Sequence, residues 1–168
     1  MKTATKTNGA RFLDSLGITY SLREYEVDPE DLTAISVAKK IQMPIEQVFK
    51  TLVTTDGAGT HFFAVIPGDA EVDFKKLARA AQVRKTEMVS LKDVQPLTGY
   101  IRGGVTVFGA KKPFPVFADE TIELFEEISV SAGNRGTQLI LVPADYLRAA
   151  EATVADLTKD VRPSEANS

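Results

Sequence analysis

The sequence has no cysteine and only one histidine, His61. Without cysteine the chain can form no disulfide bond, no thiolate metal site and no cysteine nucleophile. A multi-histidine metal site is excluded as well, and a Ser-His-Asp triad would depend on that one histidine. We therefore expect neither a metal ion nor a cofactor. His61 stands beside a glycine-rich turn, where we expect a surface role.

Long apolar runs are also missing. No stretch of about 18 apolar residues occurs, so the sequence predicts no membrane span. Residues 1–17 lack the continuous apolar core of a signal peptide. We expect a cytoplasmic protein that does not contact a membrane, and the sequence leaves its oligomeric state open.

An excess of positive charge is absent too, since the net charge is −3 at pH 7. This charge argues against bulk nucleic-acid binding. Lysine and arginine are nevertheless clustered, at Lys39/Lys40, Lys75/Lys76/Arg79, Arg84/Lys85 and Lys111/Lys112. The clusters could hold a short piece of nucleic-acid backbone or could be ordinary solvated faces, and spacing alone favours the second interpretation.

The composition that is present is typical of one globular domain. Of the 168 residues, 43% are hydrophobic and 26% are charged, which is enough to build a single core. No internal repeat or linker interrupts the chain. We expect one domain over residues 1–160, followed by a polar and disordered tail at 161–168.

Periodicity and turn signals predict more strands than helices. Helices are predicted at 6–16, after an N-cap at Thr33, as one turn after Pro44, after a cap at Asp73, after a Ser90/Asp93 capping box, and from Pro143. Strands are predicted at 18–27, 48–55, 61–67, 104–109, 115–119, 127–131 and 137–142. The fold class that follows is α+β, a single domain with a curved, mixed, barrel-like sheet and surrounding helices.

Lys50 breaks an otherwise apolar strand. It lies on the same predicted strand face as Val48 and Leu52, where an unpaired ammonium group is costly to bury. The pattern alone favours a side chain that extends to water at the strand edge. The alternative is a lysine that points into a pocket and binds a phosphate or polarises a carbonyl.

Two glycine-containing segments could bring main-chain amides close to a ligand. Gly103 and Gly104 are adjacent and precede the predicted strand 104–109. Gly133 and Gly136 frame Asn134 and Arg135 between two other predicted strands. Each segment could form an anion or oxyanion site, or could be an ordinary turn.

Taken together, these segments resemble the YbaK family, which is also described as the Cys-tRNA(Pro) deacylase or prolyl-tRNA synthetase-associated editing-domain family. The motifs occur in the family's order over roughly residues 8–158. They are REYEVDP, QVFKTLV, VDFKKLARA, KTEMVS, TGYIRGGVTVFGAKK and ISVSAGNRGTQL. Any one of these motifs is loose, but the ordered set is specific.

The resemblance implies an aminoacyl-tRNA deacylase that acts in trans on the terminal aminoacyl-adenosine of mischarged tRNA. Its implied catalytic residue is Lys50. The implied substrate-binding residues are Tyr25, Thr51, Gly103, Gly104, Ser131, Gly133, Arg135 and Gly136. Mischarged tRNA is the expected partner, together with prolyl-tRNA synthetase, and Cys-tRNA(Pro) is the first choice of substrate.

Two positions depart from the pattern of the Cys-specific members. Gln138 stands where those members often carry an acidic residue, and Thr33–Ile35 replaces an aromatic segment. Both positions are expected near the pocket. The departures motivate an alternative function, a non-catalytic module of the same fold that binds a tRNA 3′ end, a nucleotide or a synthetase.

Overall fold

A computed structural model of the chain describes residues 6–160, so the predicted tail at 161–168 lies outside it. The helices are α1 (Asn8–Ser15), α2 (Ala34–Ile41), α3 (Phe74–Ala81), α4 (Leu91–Thr98) and α5 (Pro143–Ala150). Short 3-10 helices occupy Ile45–Gln47 and Glu120–Leu124. The strands are β1 (Ser21–Glu24), β2 (Phe49–Thr55), β3 (His61–Pro67), β4 (Glu87–Met88), β5 (Val116–Asp119), β6 (Ile128–Ser131), β7 (Thr137–Leu141) and β8 (Thr153–Ala155).

The strands form two sheets. The larger sheet has the order β4-β2-β3-β5-β8, and the smaller has the order β1-β7-β6. β2 and β3 form an antiparallel hairpin, whereas β5 pairs parallel to both β3 and β8. A bridge between Val48 and Ser129 joins the two sheets. The predicted α+β class with a mixed sheet is confirmed, although over residues 6–160 the strands do not close into a barrel.

Local side-chain hydrogen bonds explain why several elements begin where they do. Thr33 Oγ1 accepts from Ser36 N–H and caps α2, and Asp73 Oδ1 accepts from the amides of Lys75 and Lys76 and caps α3. At the hairpin tip, Asp56 Oδ1 accepts from two amides of the turn. The caps at Thr33 and Asp73 predicted from the sequence are confirmed.

The predicted strand 104–109 is wrong. This segment consists of turns and extended backbone, and Tyr100 Oη donates to Phe108 O across it. Its apolar residues face the core because the ring of Phe108 packs between Phe12 and Tyr146, at centroid distances of 5.4 and 5.3 Å. A buried loop therefore produced the apolar pattern that indicated a strand.

Other boundaries were also misplaced. The predicted strand 18–27 is limited to β1, and the helix 6–16 to α1. Ser90 precedes α4, but its side chain makes no capping hydrogen bond, so the predicted capping box does not form. β4, β8 and the 3-10 turn Glu120–Leu124 were not predicted, since each is too short to show periodicity. Within residues 6–160, no helix is both long and apolar enough to span a membrane.

Candidate functional site

A cavity of about 630 Å³ opens beside the Lys50 side of β2. Its walls come from separate parts of the chain: β2, the start of α2, the loop 68–71, the start of α4, the loop 101–105, and the paired strands β6 and β7. This volume suits a small ligand or the end of a larger one. The cavity lies where the two sheets meet.

Lys50 is half-buried in this cavity. Its ammonium Nζ donates to the carbonyl oxygen of Gly68, in the loop after β3, at 3.1 Å. Burial lowers the pKa of Lys50, and the negative charges of Asp69 and Glu71 oppose that shift. Lys50 therefore presents a partly desolvated cation to the cavity instead of extending along the surface.

The residue that accepts the Lys50 hydrogen bond must be glycine, because a side chain would not fit at position 68. A Cβ atom at this position would lie 2.6 Å from Ala34 Cβ, 2.8 Å from Ile45 Cδ1 and 3.0 Å from Val48 O. Gly68 N–H also donates to Val48 O at 2.7 Å. The loop that accepts from Lys50 is thus packed tightly against the start of α2, the 3-10 helix Ile45–Gln47 and Val48.

The loops 101–104 and 133–136 contact each other at the cavity mouth. Arg135 Nε donates to Arg102 O at 2.8 Å. A Cβ atom on Gly104 would lie 2.9 to 3.1 Å from backbone atoms of Asn134 and Arg135, so the two main chains touch. The predicted glycine segments therefore form one structural unit, with Arg102 on the cavity wall.

The two amides of the glycine pair differ in their hydrogen bonding among the described residues. Gly104 N–H donates to Ile101 O at 2.9 Å and closes a turn in which Gly103 has a φ of +86°. Gly103 lines the cavity, and among the described residues its N–H donates no hydrogen bond. A single donor, rather than a pair, is available for an anion or a developing oxyanion.

The floor of the cavity includes Ser131 and Gln138, which pair in register on β6 and β7. Gln138 is buried, and its Oε1 accepts from Ser129 Oγ at 2.8 Å. Ser131 Oγ accepts from Gly133 N–H at 3.2 Å and so fixes the start of the loop 133–136.

Of the predicted site residues, Lys50, Thr51, Gly103 and Ser131 line the cavity. Successive strand side chains face opposite ways, so the Thr51 side chain points away from that of Lys50. It lies near the phenol of Tyr146. Burial raises the pKa of this phenol, and the smaller effect of Thr51 opposes that shift. Among the described residues the Tyr146 hydroxyl completes no hydrogen bond, so this contact is one of proximity.

The other predicted site residues lie behind the cavity wall. Gly104 and Arg135 lie at the contact between the loops 101–104 and 133–136. Gly133 has a φ of +108° and packs against Tyr100. Tyr25 packs with the apolar face of α2, and its N–H donates to Gly136 O at 3.0 Å. Their assigned contacts with substrate stay predictions.

Sequence reasoning missed Asp69, Glu71 and Arg102, which all line the cavity. They lie in irregular segments where no periodicity marks a side chain as inward-facing. Asp69 and Glu71 lie in the loop just after β3, and this position after a buried strand was the available signal. His61 does not line this cavity; its ring stacks 5.1 Å from that of Phe114.

The arrangement can stabilise negative charge, but it offers no conventional nucleophile–base pair, because neither histidine nor cysteine lines the cavity. Among residues 6–160, no group of three or more acidic or histidine side chains is placed to hold a metal ion. Lys50 and Gly103 both line this cavity, and the Lys50 ammonium is its cation. This geometry suits cleavage of an already activated ester, in which developing charge needs stabilisation and water or the substrate itself attacks.

Comparison with known proteins agrees with this chemistry. The sequence profile of the aminoacyl-tRNA editing domain matches residues 28–149. EbsC of Enterococcus faecalis, provisionally named a Cys-tRNA(Pro)/Cys-tRNA(Cys) deacylase, is 40% identical over 94% of this chain and 96% of its own. The multifunctional Ser/Thr-tRNA deacylase ProXp-y of Escherichia coli is 31% identical over 59% of this chain and 60% of its own.

A solved structure shares the fold. A crystal structure described provisionally as a trans-editing enzyme for prolyl-tRNA synthetase superposes with a TM-score of 0.80. It is 23% identical and covers 94% of this chain and all of its own. The family predicted from the ordered motifs is thereby confirmed: the chain belongs to the aminoacyl-tRNA editing domain family.

Proposed function

We propose that the protein is a trans-editing deacylase that hydrolyses the ester of mischarged tRNA, with Cys-tRNA(Pro) as its first substrate. The observation that carries this proposal is Lys50, a half-buried cation anchored on Gly68 O at the wall of an open cavity. Membership of the editing-domain family supplies the substrate class. The names of EbsC and ProXp-y support an aminoacyl-tRNA ester as the bond that is cleaved.

The mechanism follows from the groups that face the cavity. Lys50 and the Gly103 amide stabilise the negative charge that develops on the carbonyl oxygen of the ester. The attacking group is a water molecule or, for cysteine, the substrate thiol, and in either case the ribose hydroxyl of the terminal adenosine leaves. The ester is activated already, so positioning and charge stabilisation are sufficient and no strong protein nucleophile is needed.

Such an activity is needed because synthetases discriminate poorly between small side chains. One methylene group is worth roughly 1–3 kcal/mol of binding free energy, so a second enzyme must remove the errors. We infer that prolyl-tRNA synthetase is the protein partner, since the substrate is its mischarged product. The cytoplasmic location expected from the sequence belongs to this proposal.

A deacylation panel tests the proposal. The purified protein is incubated with Cys-tRNA(Pro), Ala-tRNA(Pro), Ser-tRNA(Pro) and Thr-tRNA(Pro), and loss of the labelled amino acid is followed against a protein-free control. We expect hydrolysis of at least one species above background, fastest for Cys-tRNA(Pro), and no hydrolysis of correctly charged Pro-tRNA(Pro). Background rates for every mischarged species would contradict the proposal.

The alternative is a module of the same fold that binds without catalysis. Gln138 and Thr33, which motivated this alternative, both line the cavity and so are placed to alter what it accepts. Measurable binding of mischarged tRNA without turnover of any member of the panel would favour the alternative over the deacylase.

Arg102 is expected to contact the tRNA backbone. It lies on the cavity wall, and its side chain forms no salt bridge among the described residues. Replacing Arg102 with glutamine should weaken binding equally for all aminoacyl groups, and should flatten the slope of log K against log salt by about 0.7 to 0.9. Filter binding at several salt concentrations measures this slope. The control Arg11→Gln removes one exposed charge on α1, and an equal change in its slope would contradict the assignment.

A further inference from the structure

Asp69 is a cavity carboxylate without a partner of its own. It lines the cavity next to the Lys50 anchor, and among residues 6–160 its side chain forms no salt bridge or hydrogen bond. The neighbouring Glu71 also lines the cavity, but it lies 3.4 Å from Lys159 Nζ. Asp69 is therefore the acidic group that is free to bind a cation entering from solvent.

The backbone holds Asp69 in this place at both sides. Ala70 N–H donates to Pro67 O and closes a turn that contains Asp69. The preceding residue is also fixed, because Gly68 N–H donates to Val48 O. After Asp69, the loop is held where Lys159 N–H donates to Glu71 O at 3.0 Å. The surroundings of Gly68 leave no room for a Cβ atom. The carboxylate is thus carried by a fixed loop, which is the support that a binding group needs.

A second group points to a polar ligand in the same cavity. Gln138 is 5% exposed, its Oε1 is occupied by Ser129, and its amide nitrogen donates no hydrogen bond among the described residues. This nitrogen is not among the fully buried polar atoms without a partner, so water or a ligand in the cavity can reach it. Gln138 therefore offers a hydrogen-bond donor to a polar ligand on the β6–β7 side of the cavity, away from the loop that carries Asp69.

The proposed substrate carries one cation of its own. In an aminoacyl ester the α-ammonium group is attached to the carbon next to the carbonyl, so stabilising that carbonyl with Lys50 brings two like charges together. Like charges at close range disfavour binding unless a carboxylate offsets them. We propose, on the basis of the deacylase function above, that Asp69 binds the α-ammonium group of the aminoacyl ester.

Asp69 could instead act only on Lys50, whose pKa its charge raises against the effect of burial. The two roles predict different responses to the substrate. A residue that tunes Lys50 affects every ester equally, whereas a residue that binds the ammonium group affects only esters that carry one. Replacing the α-ammonium with a hydroxyl group separates these roles, because the carbonyl and the ribose stay unchanged.

The test uses tRNA(Pro) that ends in 3′-amino-3′-deoxyadenosine, acylated through a stable amide with either alanine or lactate. We expect the unaltered protein to bind the alanyl form roughly fivefold to tenfold more tightly, a modest ratio because Asp69 is exposed. Asp69→Asn should bind the two forms equally and should leave affinity for the lactyl form unchanged. The control Glu126→Gln removes one exposed charge outside the cavity and should keep the full preference.

Equal binding of the two forms by the unaltered protein would overturn the inference. So would a preference that survives Asp69→Asn, or an equal loss of affinity for both forms in that variant. Hydrolysis of Ala-tRNA(Pro) and lactyl-tRNA(Pro) is measured alongside. If neither ester is hydrolysed while the binding preference holds, the deacylase function fails and the ammonium site stands.

Discussion

Replacing Lys50 with methionine is expected to reduce the deacylation rate by about a hundredfold to a thousandfold, the typical effect of removing one group that stabilises an oxyanion. Methionine fills a similar volume but carries no charge. The free energy of unfolding should change by about 1 kcal/mol or less, because relief of ammonium burial opposes loss of the hydrogen bond to Gly68 O. Single-turnover deacylation and urea unfolding measure the two quantities.

The pH dependence of stability provides a second measure of the same lysine. Burial makes the pKa of Lys50 lower in the folded protein than in the unfolded chain. As pH rises through the interval between these two values, the unfolded chain binds more protons, and the contribution of Lys50 to stability must rise. The methionine variant lacks this contribution, so its stability relative to the unaltered protein should fall over the same interval.

Two controls decide how the Lys50 result is interpreted. Lys50→Arg keeps the charge but replaces a compact ammonium with a larger planar guanidinium group. We therefore expect its deacylation rate to stay close to that of Lys50→Met. Lys39→Met removes an exposed lysine from α2 and should leave deacylation unchanged. Full activity in Lys50→Met would show that the cation is not part of the catalytic machinery.

Lys50 also shows how far the sequence could lead. The hairpin of β2 and β3 was predictable because a glycine-rich turn separates two apolar strands, and this hairpin placed Lys50 on a defined strand face. The pattern could not show where the ammonium group would go, since its acceptor, Gly68 O, lies in a loop beyond the next strand. The strand pattern alone favoured a solvated lysine, and the partial burial follows from tertiary packing.

The cavity walls were harder to predict because they are mostly loops. Asp69 and Arg102 lie in segments without periodicity, and they face the cavity through contacts between residues distant in the sequence. The segment 104–109 shows the opposite error: its buried residues imitate a strand, although its backbone forms turns. Periodicity reports which residues are buried, and it indicates a regular element only where the backbone hydrogen bonds are also regular.

The glycine pair was identified correctly as unusual, but for a different physical reason from the one its sequence suggested. Adjacent glycines suggested two exposed amides, yet Gly104 N–H is used within its own turn. The lack of a side chain at Gly104 instead allows the loop 133–136 to approach the backbone closely. The motif thus joins two loops, and of its two amides only that of Gly103 makes no hydrogen bond among the described residues.

This contact makes Gly104→Ala the sharpest test of the cavity mouth. The φ angle of Gly104 is not in the left-handed region, so alanine suits its backbone and the expected effect is steric. The new Cβ atom would meet Asn134 and Arg135 at about 3 Å, and those atoms are main chain that cannot rotate away. We expect the loop 133–136 to move and the bond from Arg135 Nε to Arg102 O to break. Crowding of this kind costs roughly 1–3 kcal/mol of stability.

Deacylation by Gly104→Ala should fall by about tenfold or more, because small displacements of positioned groups have large effects on rate. Ile122→Val is the matched control, since it removes one fully buried methyl group away from the cavity at a cost of about 0.5–1.5 kcal/mol. Rates measured well below the unfolding transition separate loss of folded protein from loss of geometry. If the two variants lose activity in proportion to stability alone, the contact between the loops only supports the fold. A rate deficit confined to Gly104→Ala would place the loop contact in the catalytic geometry.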